Sequence, residues 1–136
     1  MTVAATWQGG AAFAVDSGSG HQLITDGPPE HGGVNAGWRP MELLLASLAT
    51  CSGFDVVHIL GRGRQQPATV KVQVHGERAD TVPAVFARIE LAFTVAGAPR
   101  AAAERAVQLS VEKYCSALAM IGSDTKVSWK LVDADA

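Results

Sequence analysis

Two cysteines, Cys51 and Cys115, are the side chains of this sequence best suited to chemistry at a single atom. A thiolate is a nucleophile and a metal ligand, and its availability is set by charge and burial around the sulfur. The two stand 64 positions apart, with no Cys-x-x-Cys pair and only four scattered histidines. That pattern is neither a secreted disulfide framework nor a structural zinc site. No metal and no cofactor is expected. In a reducing compartment, two readings of the sulfurs stay open: core thiols that only pack, or a redox-active pair.

The local surroundings differ. On a helix, Cys51 shares its face with Ser47, Leu48, Asp55 and His58. Asp55, one turn away, opposes thiolate formation by like charge. His58 is two turns away, and the helix dipole fades before reaching so deep a position. Taken alone, a cysteine in a leucine-rich helix reads as core packing. Cys115 follows Lys113 and Tyr114 at a helix end, where a nearby cation favours a reactive thiol, and where a small gap-filling residue fits equally well. No Gly-x-Ser-x-Gly elbow and no phosphate loop is present.

The elements that must position these sulfurs follow from periodicity. Thr2 to Trp7, Ala11 to Val15 and His21 to Thr25 are short apolar runs divided by glycine-rich turns, the pattern of an antiparallel meander. Asp26 to Gly37 is turn-rich and long for a structureless connection, so it is expected to be ordered or functional. Pro40 suits a first helical turn. Met41 to Leu60 is the strongest helix, apolar on nearly all sides and therefore expected to be buried; Gly61 and Gly63 end it, with Arg62 and Arg64 near its last carbonyls. Val70, Val72 and Val74 alternate with polar residues as a half-buried strand, and Phe86 to Val95 forms another. Pro99 opens a helix expected to run to about Tyr114, with Ala106, Val107, Ser110, Val111 and Tyr114 on one face. Cys115 lies at or just past its end. Ser116 to Ile121 adds a further turn or two, and Val127, Trp129 and Leu131 alternate as a last strand. This order predicts an α+β fold in one domain, residues 1–136.

Bulk properties narrow the function. At 136 residues, 48% hydrophobic and 18% charged, the chain has the mix of an ordinary globular domain with somewhat low charge. The formal net charge is −2, and residues 1–38 contain no Lys or Arg. Neither nucleic acid nor an anionic membrane surface is therefore an expected partner. No apolar run is read as approaching the length of a membrane span. The start of the chain lacks the basic and apolar segments of a signal peptide, so the cytoplasm is the expected location.

The two cysteine segments also carry a resemblance. Gly37-Trp38-Arg39-Pro40-Met41-Glu42-Leu43-Leu44-Leu45-Ala46-Ser47-Leu48-Ala49-Thr50-Cys51 resembles the signature of the OsmC/Ohr family, and Asp55 to Leu60 continues the likeness. Val107 to Ser116 is similar to the family's second segment. Both motifs occur in the family's order, and the likeness covers most of the chain from His21 onward. The resemblance implies an OsmC-like intertwined homodimer, with antiparallel sheets wrapped around two long central helices. It also implies a thiol-dependent peroxidase. Cys51 would be the peroxidatic cysteine, Cys115 the resolving one, an organic hydroperoxide the substrate and a dithiol the reductant.

The sequence departs from the pattern at two points. Family members use an early-loop arginine and a glutamate beside the peroxidatic cysteine, but here Arg39 is the first arginine, 12 positions before Cys51. Along a helix that is roughly 18 Å. Met41 takes the position directly after the proline, and Glu42 comes one later, about 180° around the helix from Cys51. Arg39 and Glu42 are the candidates for the two roles, with His21 and His31 as other possible basic groups. The alternatives to a peroxidase are a dimeric small-ligand-binding or redox-sensing protein with little turnover, and a structural dimer with inert cysteines. The last requires both sulfurs buried and out of bridging range.

Overall fold

The computed structural model describes residues 1–134. They form two compact units, Met1–Leu44 and a second from Leu45 onward.

The first unit is a meander of β1 (Val3–Trp7), β2 (Phe13–Ser17) and β3 (Gln22–Thr25), antiparallel in the order β1-β2-β3. β2 begins two residues later than the alternation predicts. Gln8 to Ala12 are taken by a turn, in which the Gln8 N–H donates to the Ala12 carbonyl and the Ala12 N–H to that of Gly9. The following loop is built around one buried carboxylate. Asp26 accepts backbone N–H groups from Gly27 at 2.7 Å, Val34 at 3.0 Å and Ala36 at 3.0 Å. These bonds, led by the one from Ala36, hold the Asp26 carboxyl below its ordinary range, and the Arg39 charge adds to them. Gly33 packs against the Gly27 carbonyl where a Cβ has no room. The chain then returns to β3, with the Trp38 N–H donating to the Ile24 carbonyl and the Asp26 N–H to that of Trp38. The loop is thus ordered from within, by its own Asp26 carboxylate.

Helix α1 (Pro40–Arg62) starts at the end of the first unit and carries the chain into the second. Proline tolerates the first turn, where its missing N–H has no intrahelical partner. The second unit continues with β4 (Thr69–Arg78), β5 (Phe86–Ala96), α2 (Arg100–Leu109), a π-helical turn (Ser110–Tyr114), α3 (Ser116–Ala119) and β6 (Lys126–Val132). Its sheet has the order β4-β5-β6. This sheet is mixed: β4 and β5 are antiparallel, and β6 runs parallel to β5. The chain leaves β5 through α2 and re-enters beside it, and such a helical crossover returns the next strand in the same direction.

Period-two alternation sorts this sheet into two faces. Val70, Val72 and Val74 stand opposite Val95, Phe93 and Leu91, and Ile89, Leu91 and Phe93 opposite Val127, Trp129 and Leu131. The other face carries the ion pairs Arg88–Glu77 and Lys130–Glu90, both exposed to solvent. The core joins Ile89, Leu91 and Phe93 of β5 with Ala103, Ala106 and Val107 of α2 and with Leu48, Val56 and Leu60 of α1. Gly53 lets α1 approach β4 closely, since a Cβ there would stand 3.2 Å from a Val72 methyl.

Two features of α1 differ from expectation within the single chain. Only Leu48, Ser52, Val56 and Leu60 of the helix are buried, a single row at spacing four, while Phe54 is 69% exposed. An all-round apolar helix was expected to be buried, but one chain supplies packing for one face alone. With 23 residues α1 is also long and apolar enough to cross a membrane, contrary to the reading that no run approaches that length. Glu42, Asp55 and His58 interrupt the apolar letters without breaking the helix or making its average polar. Core helices of water-soluble proteins have the same composition.

Candidate functional site: the cysteine pair

Cys51 sits mid-way along α1, half-buried, and Cys115 is buried at 4% exposure. The fold brings the two cysteines together across 64 positions of sequence, near enough for Cys51 to act on the Cys115 thiol. Cys115 has left the helical conformation (φ −72°, ψ 104°) and caps α3, where its sulfur accepts the Leu118 N–H at 3.5 Å. Burial pushes the Cys115 thiol up to about 11, opposed by the Leu118 N–H and reinforced by the hydrogen bond and charge of Cys51. At neutral pH Cys115 is therefore a thiol. The inert-thiol reading requires both sulfurs to be buried, and Cys51 is only half-buried.

The turn that delivers Cys115 differs from the expected continuous helix. α2 ends at Leu109, and the chain widens into a π-helical turn closed by the Cys115 N–H on the Ser110 carbonyl at 2.8 Å. Ser110 opens this turn. Fully buried, it donates its hydroxyl to Asp55 Oδ2 at 2.9 Å and toward the Ser52 carbonyl at 3.3 Å, both on α1. Ser52, also buried, satisfies its own hydroxyl on the Leu48 carbonyl at 2.7 Å.

Beyond Asp55 a cavity of about 520 Å³ is lined by Asp55, His58, Ile59, Arg62, Leu109 and Tyr114. His58 is exposed and stacks on Phe54, with ring centroids 5.9 Å apart. It is not the core histidine that its place in an apolar helix suggests. Lys113 lies over the Tyr114 ring at 5.1 Å.

Of the four candidate residues, Cys51 and Cys115 are brought together. Arg39 and Glu42 belong to the first unit. There the Arg39 guanidinium donates to Asn35 Oδ1 at 3.0 Å and toward the Gly37 carbonyl, engaged by its own loop. Glu42 stands exposed in the first turn of α1, where negative charge meets the positive end of the dipole. His21 and His31 are exposed. Among the described residues, no group of three or more His, Cys, Asp or Glu is placed to hold a metal ion. The residue that sequence reasoning passed over is Ser110. A serine on the apolar face of Ala106 and Val107 must find a partner once buried, and that was its signal.

Comparisons with known proteins bear on the chain as a whole. Residues 31–130 match the family model described as OsmC-like protein. The chain is 40% identical over 126 residues to Protein YhfA of Escherichia coli K12, covering 89% of each. Among solved structures, a hypothetical protein of Aquifex aeolicus VF5 is 34% identical with a TM-score of 0.80, covering 98% of this chain and 97% of that one. A Legionella pneumophila structure described as an organic hydroperoxide resistance protein OsmC is 22% identical with a TM-score of 0.74, over 96% of both chains. At that identity the last likeness is one of fold.

Proposed function

Because this chain belongs to the OsmC family, we propose that it is a thiol-dependent peroxidase that reduces organic hydroperoxides in oxidative stress defence. The observation that carries the proposal is a half-buried Cys51 near a buried, protonated Cys115. The Cys51 thiolate attacks the distal oxygen of the hydroperoxide. The O–O bond breaks, the distal oxygen stays on sulfur with its own hydrogen, and the electron pair leaves with the alkoxide, which takes a proton from water to become the alcohol. Cys51 is left as a sulfenic acid. Cys115 then condenses with it to a disulfide and water, the reversible branch of cysteine oxidation. A dithiol reductant, available in the cytoplasm, restores the pair by exchange. Arg39 and Glu42 are proposed as the groups that activate Cys51 and orient the peroxide.

The assembly proposed is an intertwined homodimer. Phe54 and Val57 project from α1 beside an open groove of about 370 Å³ lined also by Ala49, Thr50, Gly53, Val70 and Val72. A contiguous apolar surface of this kind calls for a cover, and a second copy of the same long helix fits the family.

The test is anaerobic stopped-flow consumption of cumene hydroperoxide and hydrogen peroxide by the reduced protein, beside Cys51→Ser. Rapid loss of the organic peroxide, abolished in the variant, is expected. Oxidation of the wild type no faster than that of a free thiol sinks the peroxidase. One observation favours the second reading, a dimeric ligand-binding or redox-sensing protein with little turnover. The charged group tied into the cysteine turn is the acid Asp55, not a cation.

A further inference from the structure

Ser110 ties the backbone of the Cys115 turn to the helix that carries Cys51. Ser52, next to Cys51, offers its carbonyl to the Ser110 hydroxyl, and the Ser110 carbonyl receives the Cys115 N–H. The same hydroxyl is fastened at 2.9 Å to Asp55, one helical turn beyond Cys51. Ser110 is fully buried, so its hydroxyl has no water to turn to and its direction is set by those two acceptors on α1. Hydrogen bonds to a carboxylate are the stronger kind, and this one fixes the start of the five-residue turn that leads directly into Cys115. A disulfide needs its Cα atoms within a narrow span and its Cβ vectors facing, and errors on the order of an ångström cost rate heavily.

We propose that Ser110, anchored by Asp55, is a positioning residue that holds the Cys115 turn against α1 and so sets how readily the two sulfurs close into a disulfide. Neither residue touches the oxidant. They act through the Cys115 backbone. In the closing step the Cys115 sulfur attacks the Cys51 sulfenic sulfur, the S–S bond forms, the S–O bond breaks, and hydroxide leaves with the thiol proton as water. A loosened turn leaves the sulfenic acid waiting, exposed to a second oxidant molecule and conversion to sulfinic acid.

The inference rests on the two cysteines being a redox pair but not on peroxidase activity, so the test uses diamide. This azo oxidant takes two electrons and two protons from the dithiol without any peroxide. Disulfide closure is followed by acid quench and mass spectrometry, and the pair is equilibrated with a glutathione redox buffer. Ser110→Ala is expected to close about tenfold more slowly and to shift the equilibrium about tenfold toward the dithiol, a rise in potential of about 30 mV. Ser110→Thr, which keeps the hydroxyl, is expected to stay near wild type, and Asp55→Asn, which keeps an acceptor oxygen but not the charge, to lose clearly less than Ser110→Ala. Closure and equilibrium in Ser110→Ala equal to those of wild type overturn the inference. So does an equal loss in Asp55→Asn, which places the effect on charge and not position. If Ser110→Ala fails to fold, Asp55→Ala at its half-buried site takes its place with the same two outcomes. A wild type that forms no intramolecular disulfide removes the redox pair itself, whereas a failed peroxide assay with normal closure removes only the peroxidase.

Discussion

Cys115 shows what burial does to a single atom. Its folded thiol titrates at about 11 against an ordinary 9.0, with burial as the leading cause. A group whose neutral form is favoured by folding stabilises fully below its unfolded value, and that stabilisation is lost as pH rises through the folded one. The thermal midpoint of the reduced protein is therefore expected to fall between about pH 9 and 11, and more steeply in wild type than in Cys115→Ala. A second measurement reads the same property. Alkylation of Cys115 by monobromobimane, resolved by peptide mass, is expected to rise about tenfold per pH unit from 7 to 10 without a plateau, since only the thiolate reacts. A plateau near pH 8 would contradict the assignment of Cys115 as the protonated partner. It would also remove the reason for giving the nucleophilic role to Cys51.

At the scale of elements, the Asp26 loop and helix α1 show two ways in which polar groups direct backbone. Asp26 replaces a strand partner for three N–H groups at once, which lets a turn-rich segment hold one conformation. Those bonds depress its pKa, so the stability it lends is complete above its ordinary value of 3.8 and is lost as pH falls through the depressed one. Hydrogen exchange followed by NMR is expected to show protected Val34 and Ala36 amides at pH 6. That protection should persist below pH 4 and vanish at any pH in Asp26→Ala. Unchanged protection in the variant would mean that the glycine-rich backbone orders itself. In α1, by contrast, the buried row of Leu48, Ser52, Val56 and Leu60 is what directs the helix onto its sheet. Ser52 enters that row without cost because its hydroxyl is satisfied by the preceding turn.

For the molecule as a whole, the exposed side of α1 is the feature that one chain leaves unexplained. Phe54 and Val57 are exposed at 69% and 42%, on a helix whose average composition would suit a core. If a second copy covers them, sedimentation equilibrium is expected to give twice the chain mass. Phe54→Asp should then shift the protein toward monomer, because an uncompensated charge in an apolar contact costs several kcal/mol. A wild-type monomer at micromolar concentration would refute the homodimer and leave the apolar face to another partner.

Much of this architecture was legible from spacing alone. Alternation marked the strands to within a residue or two in most cases, and Pro40 and Gly63 bounded the long helix, because side-chain period and backbone restriction are local properties. The two cysteine segments pointed to a family that the whole-chain comparisons bear out. What the letters did not contain were facts about neighbours distant in sequence. β6 lies parallel to β5 because a crossover helix intervenes, and α1 is buried on one row because only one face meets its own sheet. α2 gives way to a π-helical turn opened by Ser110, whose acceptors lie on α1, 55 and 58 positions earlier. Cys115 is held protonated for the same kind of reason: its pKa depends on burial and on a sulfur 64 positions away, and both exist only after the chain has folded.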